Sequence, residues 1–346
     1  MRRVLLFLVC SVVFIIGVLS VGDVIPSVDP FDDRRPNLAQ DFSGYDERPI
    51  ALMKIRHSSE RGRPYDVGLF GNSRILSVGR ENITGNACST FNYALSGHSF
   101  RSTVQLLERL SWEKALPRLA IISMDHFELQ MTNNPVWTGW WRRWHVFLGD
   151  IAIAFREPNS DLRDKARIIW RLISTETIIF QRRFEFSFFR RAVLDALKWN
   201  GDIFRDVDIG RPGYRPDGSF YSPPLPPKEI AAMTRTTPQI INSVLRSDLE
   251  RLFRMARDSN LKLVLYESPL HPASAVVFDA APSFFADANR RTFLETCQGF
   301  GITCFSAPRE PFLRLGGWGD ASHPPPSMLG KWISSIIHSQ FAGCTS

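Results

Sequence analysis

Apolar and polar positions along this chain change period repeatedly, and the changes mark its elements. Residues 65–70 form a short, mostly apolar run that alternates little, the pattern of a strand covered on both faces. Gly71-Asn72-Ser73-Arg74 breaks that run. Residues 86–98 read as strand and loop. Ser99 stands as a cap before a helix to about Lys114, with Val104, Leu107 and Leu110 on one side. Leu119 to Met124 reads as a second buried strand, Leu261 to Tyr266 as a third, and Ile302 to Phe305 as a short fourth. Helices are predicted from Thr237-Pro238 to about Ser259, over 283–297, and over 326–340. Strands alternating with helices predict an α/β fold, its parallel sheet covered on both sides. Sites in such sheets collect at the carboxyl ends of strands. Ser73, Asp125 and Glu267 all fall at or just after such ends.

Two regions break this rhythm. The stretch 127–245 has helical periodicity and no long strand, and reads as an insertion on the main domain. Helices are expected there at 161–178 and 184–199, and a loop rich in proline and glycine at 208–228. Residues 23–64 contain many Pro, Asp and Arg and little periodicity. They read as an extended tether with a short helix near Ile50 to Ile55. Before them, Arg2 and Arg3 precede an uncharged apolar run over 4–21. As a helix this run is roughly 27 Å long, about enough to cross the hydrocarbon core. The run is either a membrane anchor or a cleaved export signal; both send the rest of the chain outside the cytoplasm. The division expected is thus 1–22 anchor or signal, 23–64 tether, and 65–346 α/β domain.

Charge narrows the partners only a little. The formal net charge is +7, but the basic residues are scattered and no nucleic-acid-binding signature appears. There are five cysteines. Cys297 and Cys304 are close enough in sequence to bridge, which export would permit. Cys88 and Cys344 have no evident partner. With no CxxC pair and no HExxH, neither a metal nor a cofactor is expected.

The chemistry-bearing residues lie near the two ends of the domain. Ser73 follows a buried strand through a glycine-permitted turn, so its hydroxyl can stand clear of the sheet. A serine hydroxyl at neutral pH needs a base. His323 is the best candidate. Asp320, three residues earlier, can orient the imidazole and stabilise its charged form. Taken singly, Ser73 also reads as a helix cap and His323 as a loop histidine before Pro324-Pro325-Pro326.

In order and context these two pieces resemble the SGNH (GDSL-type) hydrolase superfamily. Gly71-Asn72-Ser73 stands where that family has its Gly-Asp-Ser block. Asn92-Tyr93-Ala94-Leu95-Ser96-Gly97 looks like the second block, and Asp320-Ala321-Ser322-His323 like the last. The resemblance implies a flavodoxin-like three-layer sandwich, with the amides of Ser73 and Gly97 as an oxyanion hole and Asn72 and Asp125 beside the substrate. Its third block departs: Ile122-Ser123-Met124-Asp125-His126 lacks the family's asparagine. An ionised Asp125 accepts hydrogen bonds and donates none. The departure, together with an N-terminal anchor, resembles the alginate O-acetyltransferase-like branch, which acts on cell-surface polysaccharide.

Two function classes follow. One is a membrane-anchored serine acyltransferase or esterase acting on O-acyl, most simply O-acetyl, groups of carbohydrate, with an acyl-donor partner in the membrane. The other is a non-catalytic binding or scaffold subunit of a polysaccharide-modifying or export assembly. His98 and His126 also fall near the expected site, where each could contact substrate or act as base; structural or supporting roles are favoured, since neither has a carboxylate partner at fixed spacing. The Trp137–Trp144 run, with Arg142 and Arg143, suits core packing, a membrane interface or sugar stacking.

Overall fold

The computed structural model describes residues 47–83, 88–124, 213–221, 242–269, 287–305, 317–320 and 322–341, with positions 10–11, 29, 31, 148, 151–152, 155, 162–163, 165–166, 169–170, 173 and 271. In chain order the elements are α1 (Glu47–Glu60), β1 (Val67–Phe70), α2 (Ser73–Leu76), a 3₁₀ turn (Arg80–Asn82), β2 (Thr90–Asn92), α3 (Phe100–Trp112) and β3 (Leu119–Met124). They continue with β4 (Gly213–Tyr214), β5 (Phe220–Tyr221), α4 (Asn242–Asp258), β6 (Lys262–Glu267), α5 (Asp287–Phe300), β7 (Thr303–Phe305) and α6 (Pro326–Gln340).

The fold is α/β. Five strands form one sheet in the order β2-β1-β3-β6-β7, and every neighbouring pair is parallel. Every residue of β1, β2 and β3 is buried, which is why β1 and β3 read as continuous rather than alternating apolar runs. Crossovers between parallel strands are right-handed. The step from β1 to β2 runs opposite to the steps β2 to β3, β3 to β6 and β6 to β7. The 3₁₀ turn therefore lies on one face, and α3, α4 and α5 on the other. The packing agrees: α3 lies against α1 and α4, α4 against α5, and α6 against the 3₁₀ turn. The direction reverses between β1 and β3, and in open parallel sheets the carboxyl edge at such a reversal is where sites form.

Helix ends are built from local chemistry. Ser99 caps α3, its Oγ accepting the Ser102 N–H at 3.2 Å, a device worth about 1 kcal/mol. Helices α3, α4 and α5 all end the same way. A left-handed residue (Lys114, Asn260 or Gly301) reverses the chain. The next N–H then bonds back to the helix, as in Ala115 to Leu110, Leu261 to Ala256 and Ile302 to Cys297. Cys297 and Cys304 form a disulfide, Cα–Cα 6.2 Å, between the end of α5 and β7.

Several expectations need correction. The segment read as a tether contains α1, a fourteen-residue helix, with Ile50, Ala51 and Met53 in the core. The short helix expected near Ile50 to Ile55 understates it, because Lys54, His57 and Ser58 read as polar positions and yet are buried. Phe31 is also buried, edge-on to His57 and Phe91. Asp29 accepts from His57 Nδ1 at 2.6 Å, and His57 Nε2 meets the Tyr65 hydroxyl at 2.7 Å. The body of the domain thus begins well before residue 65.

The loop expected at 208–228 contains the antiparallel β4–β5 hairpin. The hairpin is docked on β2, with the Asn92 N–H donating to the Asp217 carbonyl at 2.8 Å. Cys88 is disulfide-bonded, although the sequence suggested no partner for it. The apolar run 4–21 apart from positions 10–11, Asp125 and His126, the Trp137–Trp144 run, the helix at 184–199 and most of that at 161–178 lie outside the described residues. Among the described residues, no helix is long and apolar enough to cross a membrane.

Candidate active site

The site begins at the carboxyl end of β1. Gly71 has φ +139°, and a Cβ there would sit 2.9 Å from the Ser123 Cβ and 3.0 Å from the Ser123 carbonyl. Only glycine turns the chain this tightly over the end of β3. Asn72 then caps α2, its Oδ1 accepting the Arg74 N–H at 3.0 Å. Asn72 is buried, so this capping role is what the structure gives a residue that the resemblance set beside the substrate. Ser73 is the first residue of α2. Its N–H belongs to the first turn of a helix and has no intrahelical acceptor.

The nucleophile turn is tied down from β2. Asn92 Nδ2 donates to three carbonyls beyond Ser73, those of Ile75 (2.8 Å), Leu76 (3.2 Å) and Val78 (2.9 Å). Its Oδ1 accepts the Ala94 N–H at 2.9 Å. Two backbone bonds, Tyr93 N–H to Leu69 O (2.7 Å) and Leu95 N–H to Gly71 O (3.1 Å), run the β2 exit loop alongside the turn. Below that loop lies Lys54, fully buried, whose Nζ donates to the carbonyls of Asn92 (2.8 Å), Ala94 (2.7 Å) and Gly218 (2.8 Å). Gly97 ends the loop in a left-handed conformation, φ +65°. It is exposed, and a Cβ added there would meet nothing within 4 Å.

The second half of the site comes from the loop before α6. Asp320 Oδ1 accepts from Ser322 N–H (2.6 Å), Ser322 Oγ–H (2.8 Å) and His323 N–H (3.0 Å), which winds the loop around the carboxylate. Its Oδ2 lies 2.8 Å from His323 Nδ1. His323 Nε2 lies 2.8 Å from Ser73 Oγ. The network assigns the ring proton to Nδ1, donated to Asp320, and leaves Nε2 to accept from the serine hydroxyl. The hydrogen bond from His323 holds the Asp320 carboxyl well below the usual carboxylate range, aided by Ser322 and opposed by partial burial. The His323 and Asp320 side chains are 40% and 49% exposed, so the site is open to solvent.

One residue that the sequence reading passed over joins the two halves directly. Arg74, buried beside Ser73, donates from Nε to the Ser322 carbonyl at 3.0 Å. The only trace in the sequence is a cation placed immediately after the turn serine. In the sequence Asn92 shows only as a member of its block, and nothing marks Lys54.

The other expected residues fall as follows. Asp125 and His126 come directly after Met124, the last residue of β3, and lie outside the described residues. His98 is buried, and desolvation, with the Lys54 charge nearby, pushes it down to about 3. It is therefore neutral at ordinary pH and placed as a structural residue. Ser123 and Ser268 meet at 2.5 Å beneath the turn, joining the ends of β3 and β6. Among the described residues, no group of three or more His, Cys, Asp or Glu side chains is arranged to hold a metal ion.

A parallel α/β sheet with a hydroxyl–imidazole–carboxylate chain at its carboxyl edge is the arrangement that the fold and site define. The chain matches no protein-family model and no curated protein.

Proposed function

We propose that this protein is a serine-dependent acyltransferase or esterase of SGNH hydrolase type, with a flavodoxin-like sandwich. It is exported, held to the membrane by residues 4–21, and acts on O-acyl groups of cell-surface carbohydrate. The observation that carries the reading is the unbroken hydrogen-bond path from Asp320 through His323 to Ser73, across 250 positions of sequence. Such a path is what a serine needs to become a nucleophile at neutral pH.

In this reading Ser73 Oγ attacks the acyl carbonyl while its proton passes to His323 Nε2. The ionised Asp320 stabilises the imidazolium so formed. The carbonyl oxygen becomes an oxyanion, held by the amides of Ser73 and Gly97. The intermediate collapses, the ester C–O bond breaks, and the leaving alcohol takes the proton from His323. The acyl group, most simply acetyl, then sits on Ser73 until water or a sugar hydroxyl attacks it by the reverse sequence. The acyl donor in the cell is an ester or a membrane partner that presents one.

The test uses Ser73→Ala. The variant is expected to lose turnover of a chromogenic acetyl ester and labelling by a fluorophosphonate, with an unchanged thermal unfolding curve. Unchanged turnover refutes the assignment. Folded wild-type protein that neither labels nor turns over ester makes the chain a non-catalytic binding subunit instead.

A further inference from the structure

Two described helical stretches in the inserted region carry apolar stripes that the domain does not bury. In the first, Leu148, Ile151 and Phe155 recur at helical spacing, and Leu148 and Phe155 are more than half exposed. In the second, Leu162, Ile169 and Ile173 share a face with Trp170, and their exposure runs from 41% at Ile173 to 80% at Leu162, with Ile169 half-buried. An amphipathic helix in a globular domain normally turns such a stripe toward the core. None of these side chains belongs to the core cluster. The two stretches meet at one point, where Lys165 Nζ donates to the Phe155 carbonyl at 2.9 Å. Exposed apolar faces of this kind mark interaction surfaces.

We infer that this paired stripe rests on the surface of the lipid bilayer that residues 4–21 enter. The inference relies on the anchored reading given above. Two observations choose this occupant. First, the chain holds the domain close to that bilayer. Asp29 and Phe31 are already docked on the body, and the step from Val21 to Asp29 spans at most about 28 Å when fully extended. A domain tethered that closely meets lipid at a far higher effective concentration than any diffusing partner. Second, the stripes have basic flanks. Arg163 is exposed beside Leu162, and Arg156, Arg167 and Arg171 stand close by in sequence. Apolar side chains bordered by arginine are the composition of helices that lie in the headgroup region of anionic membranes. Docked this way, the domain is held in one orientation, with its acyl donor confined to the membrane plane.

The full chain tests this, in a Cys10→Ser background because Cys10 is a free cysteine. Single cysteines are placed at Leu162 or Ile173, or at exposed Asp258 as a control, and labelled with an environment-sensitive nitrobenzoxadiazole dye. The protein is reconstituted in vesicles of phosphatidylcholine and phosphatidylglycerol, with and without a lipid-borne quencher. The expected result is a blue shift and a several-fold rise in emission at 162 and 173, reversed by the quencher, with no change at 258. Labels at 162 and 173 that stay as water-exposed as the control, on protein that floats with the vesicles, overturn the docking alone. Protein that fails to float overturns the anchor and the docking together. A shift that follows protein concentration without lipid assigns the stripes to a second copy. Ester turnover in the same samples reports separately on the Ser73 reading.

Discussion

Asn92→Leu isolates the bonds that hold the nucleophile in place. Leucine has the branched skeleton of asparagine with bulkier methyl ends, so the change leaves no cavity while it removes every polar partner. Asn92 Nδ2 serves Ile75 O, Leu76 O and Val78 O, and Oδ1 serves the Ala94 N–H. Ile75 O keeps another donor, the Val78 N–H at 3.0 Å. Three groups therefore lose this partner: Leu76 O, Val78 O and Ala94 N–H. At about 1–3 kcal/mol for each buried group left unsatisfied, and with some relaxation, the loss of stability should be roughly 3–6 kcal/mol. A urea melt with an unchanged slope measures it. Catalysis should fall as well. Helix α2 is four residues long, and Ser73 opens it. A nucleophile misplaced by about 1 Å costs on the order of 100-fold. The assay is acetyl-ester turnover under conditions where the variant is still folded. A variant within about 1 kcal/mol of wild type, with wild-type turnover, would show that the Asn92 bonds do not position Ser73.

Three further outcomes are expected. Asp320→Asn keeps an oxygen to accept the loop N–H groups but no longer holds the imidazole proton on Nδ1. Thermal stability should fall only modestly, because the half-exposed carboxylate loses its charge-assisted bonds, while kcat for ester turnover falls by on the order of 10⁴, as in the Ser-His-Asp template; a loss below tenfold argues against His323 as base. Gly330→Ala puts a Cβ 2.3 Å from the backbone carbonyl of Asn82, so α6 must move off the 3₁₀ turn. Overpacking of about 1–3 kcal/mol is expected, and an unchanged denaturation midpoint counts against the close contact. His98 binds a proton in the unfolded chain below 6.5 and in the folded protein only near 3. Across that window the unfolded state holds the extra proton, so stability falls as pH falls, by up to about 1.4 kcal/mol per pH unit from this group. His98→Gln should flatten the stability–pH curve by one proton's worth, and an unchanged slope excludes the buried neutral imidazole.

Much of the scaffold was legible as pattern. Leu119 to Met124 and 326–340 were read with the bounds that the structure has. A strand buried on both faces has to be apolar throughout, and a proline at the first helical position marks a start. Ser99 was legible as a cap because capping is a contact between near neighbours. The tether over 23–64 was misread for the converse reason. Part of its buried face is Lys54 and His57, whose polar groups are satisfied by Gly218 and Asp29, both well away in sequence. A hydrophobicity pattern counts such positions as surface.

The sequence by itself determined the alternation of strands and helices, the glycine-permitted turn before Ser73, and the Asp-x-x-His loop, since each depends on residues within a few positions of one another. Only the tertiary structure decided that the hydroxyl and the imidazole lie 2.8 Å apart. It also decided that Arg74 bridges their two loops and that Asn92 and Lys54 hold the turn from behind. Those bonds join segments brought together by the order of strands in the sheet. A hydrogen bond between residues so far apart leaves no period in the chain to read.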